Sequence, residues 1–368
     1  MKIAYDAQIF FEQPYGGVSR YFCEIAKRIS AYEDLQVSIT APMHINAYLE
    51  HLPPHIVSGF RLPYADKISL TVRGIGMLIG DMMLRSFSPN VIHETYYFPY
   101  RLGPSSARRV LTMHDMIHEK FADDFEAGDR TARFKSMSVE RSDHIICVSE
   151  NTRNDLIELL GVQPDKTSVI YHGFDLMDYA TTARTETVID FGEPFILYVG
   201  NRGRYKNFLS LLKAYAESKE LTGRCRLVCF GSEKFNDTEL KLIEKMGLNR
   251  NRVVPIGGGD HILAALYKSA LVFVYPSLYE GFGIPPLEAM SFGCPVVCSN
   301  EGSIPEVVGD AGEYFDPKNI DNIRDAIERV VDSETIRREL IKKGKERTKI
   351  FSWERCAKET AEIYRKLL

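Results

Sequence analysis

The sequence predicts two α/β domains in tandem, each a doubly wound parallel sheet. Short β-branched runs bounded by turn residues alternate with segments of helical period, the pattern of strands buried on both faces. The alternation occurs twice, on either side of a polar, aperiodic stretch at 174–193 that reads as a linker. The length of 368 residues suits two or three domains of about 100–200 residues each. The expected division is a first domain at 1–180, a second at 190–350 and a last segment at 351–368.

The first series predicts strands at 2–8, 36–42, 90–97, 108–115, 144–149 and 167–173. Helices are expected at 17–30, 68–87, 123–141 and 150–160, the last with Ser149 as N-cap. The second series predicts strands at 195–200, 225–231, 252–256, 271–276, 295–299 and 312–315. Its helices are expected at 207–218, 237–246, 260–269, 286–292, 320–332 and 333–349, with a final helix from about Trp353 to Leu368. Sheets of this kind bind ligands beyond the carboxyl ends of their strands, so two such domains imply a cleft between them.

Composition narrows the function. A hydrophobic fraction of 45% with 26% charged residues excludes disordered, collagenous and coiled-coil chains. The 46 Lys and Arg against 50 Asp and Glu leave no basic excess, so no nucleic-acid partner is expected. Seven cysteines fall in apolar runs without a C-x-x-C or Cys/His cluster, which points to core residues of a reducing compartment rather than zinc ligands or disulfides. The start carries no apolar leader, and the most apolar helical window, at 68–83, is broken by Arg73 and Asp81. A cytoplasmic location follows as the expectation.

The most informative stretch runs Glu280-Gly281-Phe282-Gly283-Ile284-Pro285-Pro286-Leu287-Glu288, between a predicted strand and a predicted helix. Gly281 and Gly283 permit close backbone approach to a ligand, and Pro285 and Pro286 suit a first helical turn. The free N–H groups of that turn favour a phosphate, with a carboxylate on either side. A capped Gly-rich turn is the plain alternative; two glutamates, two prolines and the preceding strand together weigh against it. The loop Gly200-Asn201-Arg202-Gly203-Arg204-Tyr205-Lys206-Asn207 gathers three cations at another strand end, where diphosphate oxygens could be met. Gly16-Gly17 opens a helix and is by itself a weak nucleotide signal. His114-Asp115 closes a predicted strand, and His118 and Glu119 follow in the next loop; His172 reads as a structural residue at the hinge. No nucleophile elbow, no P-loop and no D-x-D pair occurs.

These segments resemble the retaining GT-B glycosyltransferases of group 1 (family 4). Glu280 and Glu288 match the family's E-x7-E signature. Gly16-Gly17-Val18, Thr112-Met113-His114-Asp115, Tyr198-Val199-Gly200 with Lys206-Asn207, and Ser303-Ile304-Pro305-Glu306-Val307-Val308 match along nearly the whole chain. The branch it looks closest to is that of bacterial polysaccharide and mannosyltransferase-like enzymes. The resemblance implies the GT-B fold, an acceptor-binding first domain, a nucleotide-sugar-binding second domain and a last helix that returns to the first. It implies transfer of a hexose from a nucleoside diphosphate sugar to a growing oligo- or polysaccharide, with retention and without a metal or other cofactor. UDP-glucose stands slightly ahead of GDP-mannose on the frequency of donors in the family.

The resemblance also assigns roles. His114 and Glu280 are the catalytic pair and hold the transferred sugar together with Gly281 and Phe282. Gly17, Arg202, Lys206, Phe282, Gly283 and Ile284 receive the donor diphosphate, and Glu288 the donor ribose. Many members carry Arg where this chain has Asn201, so either Arg202 or Arg204 is the second phosphate ligand. Asp115 and His118 fall toward the acceptor. A nucleotide-sugar epimerase, a phosphorylase and a non-catalytic nucleotide-sugar-binding protein are the competing functions. The acceptor could be lipid-linked. The cations Arg61, Lys67, Arg73 and Arg85, scattered through an apolar stretch, read first as the solvated side of a core helix and second as a peripheral contact with the inner face of the cell membrane.

Overall fold

A computed structural model of the chain describes residues 1–62, 69–174, 189–231, 234–249 and 251–368. They form two compact units, one of Met1–Gly173 with Phe351–Leu368 and one of Phe174–Ile350. Most of the expected linker, residues 175–188, lies outside the described residues, as does Lys67.

The first unit is built on seven parallel strands: β1 (Lys2–Tyr5), β2 (Gln36–His44), β3 (Val57–Arg61), β4 (Val91–Glu94), β5 (Arg108–Met113), β6 (His144–Cys147) and β7 (Thr167–Val169). Their order is β3-β2-β1-β4-β5-β6-β7. The second unit has six parallel strands, β8 (Phe195–Val199), β9 (Arg226–Phe230), β10 (Val253–Ile256), β11 (Val272–Tyr275), β12 (Val296–Ser299) and β13 (Gly312–Phe315), in the order β10-β9-β8-β11-β12-β13. The fold class expected from the sequence is thus the one observed, two Rossmann-like α/β domains. In each sheet the order reverses once, between β1 and β4 and between β8 and β11. These are the switch points where such sheets bind ligands.

The differences from expectation are local. The first strand was expected to reach Gln8, but it stops at Tyr5, and Gln8 already begins the helix Gln8–Glu12. Asp6 ends it: its carboxylate accepts from the backbone N of Thr95 (2.9 Å) and from the Gln8 side chain (2.6 Å). The edge strand β3 was not expected. Its Val-Ser-Gly-Phe-Arg run is half exposed and pairs on one side only, so it lacks apolar alternation. Gly59 is required there, because a Cβ would lie 1.6 Å from the carbonyl oxygen of Ala41.

The helix Leu70–Phe87 departs from the core-helix reading. It buries Gly76, Met77, Gly80 and Leu84, with Gly76 against Phe11 and Gly80 against Pro42. Its outward face is apolar: Leu70, Ile75, Leu78, Ile79 and Met82 are exposed, Leu70 by 85%. Of the two cations in this helix, Arg85 is exposed and Arg73 is largely enclosed. Arg73 pairs with Glu12, and Arg85 with Asp81 at 2.8 Å. Glycines narrow enough to let this helix settle on β2 leave its larger side chains nowhere to turn but outward.

The last helix, Trp353–Lys366, lies in the first unit against the helix Gly17–Ile29, with Trp353, Cys356, Ala357, Ala361 and Tyr364 buried. Its seat needs Gly173, where a Cβ would meet the Trp353 backbone at 2.4 Å. Tyr364 donates to or accepts from His93 Nδ1 at 2.6 Å and Tyr5 at 3.0 Å, tying the helix to β1 and β4.

Candidate functional site

In the second unit the candidate residues gather at the switch point. After β8 the chain passes through Gly200, at φ +140°, and a single 3-10 turn, Arg204–Lys206. Asn207 then takes a left-handed conformation at φ 56°, and its buried side chain donates to the carbonyls of Pro276 (3.1 Å) and Pro317 (2.7 Å). The Leu278 N–H donates to the Tyr205 carbonyl at 2.8 Å. The loops after β8 and β11 are therefore locked to each other by backbone as well as side chain.

That lock brings Lys206 onto Glu280. The Lys206 Nζ lies 2.7 Å from one Glu280 carboxylate oxygen and 3.0 Å from the other. Both side chains are mostly enclosed, 15% and 10% exposed. A charge pair so placed is costly to desolvate, and a paired arrangement is what such a site requires. The Nζ also lies over the rings of Tyr205 (5.4 Å) and Tyr275 (5.7 Å).

The turn beyond Glu280 is held by Ser303, whose hydroxyl donates to the carbonyls of Glu280 (2.9 Å) and Phe282 (2.7 Å). Gly283 caps the helix Ile284–Ser291 at φ 111°, a conformation that demands glycine, and among the described residues no atom lies within 4 Å of where its Cβ would stand. Pro285 and Pro286 fill the first turn as expected. The open space over Gly283 and the N-terminal end of this helix suit an anion. Glu288, one turn on, is buried and accepts from the Tyr267 hydroxyl at 3.0 Å.

Arg202 is engaged elsewhere. Its guanidinium pairs with Glu239 at 2.5 Å, donates to the Lys234 carbonyl at 2.7 Å and lies 4.8 Å from the Phe235 ring centroid. Arg204 is exposed on the same loop. Glu239 also completes a capping box with Asn236, so the carboxylate that holds Arg202 belongs to the helix Asp237–Lys245.

In the first unit Gly16 caps the helix Gly17–Ile29, and the loop before it is tied by Gln13, whose side-chain oxygen accepts from the Ser19 N–H at 3.2 Å. Among the described residues nothing lies within 4 Å of a Cβ placed on Gly17. His114 follows β5. Its ring stacks on that of His172 at 5.7 Å and 21°, with Tyr21 edge-on to both at 5.3 and 4.9 Å. Trp353 stands edge-on to His172 at 6.1 Å. Burial pushes the His114 pKa down to about 3, with His93 and Lys135 adding to the shift. The imidazole is therefore neutral at pH 7, and its enclosed Nε2 has no hydrogen-bond partner among the described residues.

Asp115 accepts from the Ile117 N–H at 3.0 Å and so starts the short helix Ile117–Lys120. His118 stacks on Phe125 at 3.9 Å and stands 3.8 Å from Asp129, and burial lowers its pKa. Lys135 was not legible in the sequence; it is a fully buried ammonium that donates to the Asp115 carbonyl and to Glu119, each at 2.9 Å. It sits among polar residues of a helix with weak period, where nothing separates a buried lysine from an exposed one. His172, read as structural, proves to be the platform under His114; its Tyr-His-Gly context carries no signal of that role. Among the described residues no group of three or more His, Cys, Asp or Glu side chains is arranged to hold a metal ion.

Residues 180–347 match the family of glycosyl transferases group 1, and residues 15–178 match glycosyltransferase family 4. The O-antigen chain mannosyltransferase B of Escherichia coli is 29% identical over 96% of this chain and 97% of its own length. The serotype-specific mannosyltransferase WbdA of Escherichia coli is 32% identical over 78% of this chain, which spans 38% of that longer protein. The solved sucrose-phosphate synthase of Thermosynechococcus elongatus superposes with a TM-score of 0.73 at 21% identity, over 100% of this chain and 98% of that one, a likeness of fold.

Proposed function

The chain belongs to the group 1 GT-B glycosyltransferases of bacterial polysaccharide type, and from that premise we propose a retaining, metal-independent mannosyl transfer from a nucleoside diphosphate sugar to a growing saccharide. The observation that carries the chemistry is the Lys206–Glu280 pair beside the helix start at Gly283. An ammonium and a helix N-terminus together offer a departing diphosphate fixed positive charge. Glu280 exchanges its lysine for hydroxyls of the transferred sugar, and Glu288 accepts from the ribose. Phe282, Gly283 and Ile284 present backbone N–H groups to phosphate. Arg202, paired with Glu239, would have to exchange that carboxylate to meet phosphate, and the exposed Arg204 on the same loop is the other candidate for the second cation. His114 offers a neutral Nε2 to the sugar. The leaving phosphate oxygen takes the acceptor proton on the face it vacates, which gives retention without a protein nucleophile.

The named activities of the relatives support a mannosyl donor, and with it GDP-mannose ahead of the UDP-glucose that family frequency favoured. A thermal-shift panel of GDP-, UDP- and ADP-sugars decides this. The true donor at about 100 Kd adds about 2.7 kcal/mol of stability, and radiolabelled sugar should then pass to saccharide. Equal stabilisation by all three, or none by GDP-mannose, refutes the choice of donor. Activity should persist in EDTA. Loss on chelation with recovery on adding Mg²⁺ or Mn²⁺ refutes metal independence.

The exposed apolar face of the helix Leu70–Phe87 supports a peripheral membrane contact, near a lipid-linked acceptor. Among the described residues no helix is long and apolar enough to cross a membrane. With Arg73 and Arg85 each paired to a carboxylate, apolar burial should dominate over charge. Co-sedimentation with liposomes is expected to depend weakly on anionic lipid and to fall in the Leu78→Glu/Met82→Glu variant. Equal, negligible pelleting of both proteins at low salt rules out the contact.

A further inference from the structure

The first unit contains a cavity of about 230 Å³ just beyond the carboxyl end of β4. Its walls come from four segments: Glu12 ends the first helix, Arg73 comes from the helix Leu70–Phe87, Tyr96 follows β4, and Asp129, Arg130 and Phe134 surround the start of the helix Thr131–Arg141. We infer that this cavity is the acceptor subsite, built to hold one uncharged pyranose ring of a saccharide. The inference rests on the reading of the chain as a glycosyltransferase and adds where, and in what charge state, the acceptor binds.

Three features carry it. The first is a rigid aromatic wall. The Tyr96 ring lies 4.7 Å from that of Tyr97, which is buried and has the Lys135 ammonium 5.3 Å from its centroid. A ring fixed from behind that lines the cavity can meet the C–H face of a sugar at little entropic cost. The second is a set of hydroxyl partners around it. Asp129 uses one oxygen to accept from the Thr131 N–H at 2.7 Å, and a carboxylate has further lone pairs to give. The Tyr96 phenol is pushed up to about 12 by burial and by Asp115, Glu12 and Asp129, so it remains a donor at every working pH. The third is charge balance. Two carboxylates face two guanidiniums, and Arg73 is already paired with Glu12. A phosphate-bearing ligand would need a surplus of positive charge, which the walls lack among the described residues, whereas a neutral polyol meets donors and acceptors in equal measure. His118, expected from the sequence near the acceptor, stands at the rim, 3.8 Å from Asp129.

The test is saturation-transfer NMR on the whole protein with methyl α-mannoside, α-mannobiose and a panel of other neutral methyl glycosides, with mannose 6-phosphate alongside. At least one neutral glycoside should bind. Its affinity should fall fivefold or more in Tyr96→Ala and in Asp129→Ala, survive within twofold in Tyr96→Phe, and be unchanged in Tyr100→Ala, an exposed tyrosine outside the cavity. Circular dichroism checks that each variant is folded, and Asp129→Asn, which keeps the oxygen that caps Thr131, replaces Asp129→Ala if that variant is not. Undiminished binding in folded Tyr96→Ala, tighter binding of mannose 6-phosphate than of any neutral glycoside, or no glycoside binding at all overturns the inference. If wild-type protein turns over a nucleotide sugar while no glycoside binds, the subsite fails and the glycosyltransferase reading stands. If glycosides bind through Tyr96 while no nucleotide sugar is bound or turned over, the reverse holds.

Discussion

Lys206→Ala is expected to lower kcat/KM for the donor by about 10³-fold, the scale seen when a donor aimed at developing negative charge is removed from an enclosed site. The structure explains why the loss should be at the upper end. Lys206 neutralises Glu280 through both carboxylate oxygens, at 2.7 and 3.0 Å. Without the ammonium, a diphosphate would have to settle beside an uncompensated carboxylate, so attraction is replaced by repulsion rather than merely lost. Glu280→Gln should behave differently. It removes the partner that competes with phosphate for Lys206, so nucleoside diphosphate alone should bind as well as before or better, while sugar transfer falls about 10²-fold for want of a charged hydroxyl acceptor. In the double variant, Lys206→Ala with Glu280→Gln, the repulsion is gone, and nucleotide affinity should recover part of the loss in Lys206→Ala. That non-additivity is the signature of direct coupling. Calorimetry with nucleoside diphosphate and steady-state kinetics measure the four corners of the cycle. Melting temperatures belong beside them, because an unpaired enclosed group costs about 1–3 kcal/mol. Lys206→Ala with kcat and KM within threefold of wild type, or additive effects on nucleotide affinity, would remove Lys206 from the diphosphate site.

Why the sequence disclosed this pair only in halves is instructive. The strands were legible because buried parallel strands need continuous apolar runs, and Val272–Tyr275 or Phe195–Val199 allow no other reading. The helix start at Gly283 was legible because glycine and proline act locally, through φ and a missing N–H. Lys206 and Glu280 were each visible at a strand end, but their ion pair depends on β8 lying next to β11, and on Asn207 bridging to Pro276 and Pro317. Contacts between residues 74 apart in sequence leave no local trace. Arg202 shows the same limit from the other side. It sits in the right loop, yet Glu239, from the helix Asp237–Lys245 that follows β9, claims it. The edge strand β3 and the outward face of the helix Leu70–Phe87 were missed or misread for a related reason: how much of an apolar segment is covered is decided by its neighbours, here the glycines Gly76 and Gly80 against Phe11 and Pro42.

His114→Ala should lower kcat about 10²-fold with donor KM little changed, and the wild-type pH profile should show no rise from an imidazole near pH 6.5. Both follow from the environment of the ring. Sandwiched against His172 and edged by Tyr21 and Phe22, it is neutral, with a pKa near 3. It can hold a sugar hydroxyl through Nε2 but cannot supply a positive charge, so its contribution is that of an oriented hydrogen bond in a water-poor site. The sign of the stability change follows. His93 and His114 both have folded pKa values of about 3, below the unfolded value of 6.5. Between those limits the unfolded chain binds more protons, so stability is full above pH 6.5 and is lost as pH falls, by about 1.4 kcal/mol per pH unit for each histidine. Activity at low pH should therefore disappear together with the fold, not ahead of it. Parallel measurement of kcat and melting temperature from pH 8 to 4.5 checks this, and imidazole NMR shifts should report the neutral ring of His114 at pH 6. An ionisation near 6.5 in kcat while the melting temperature holds would mean that a charged imidazole acts in the reaction. A folded His114→Ala that keeps kcat within threefold would take the sugar contact away from this residue.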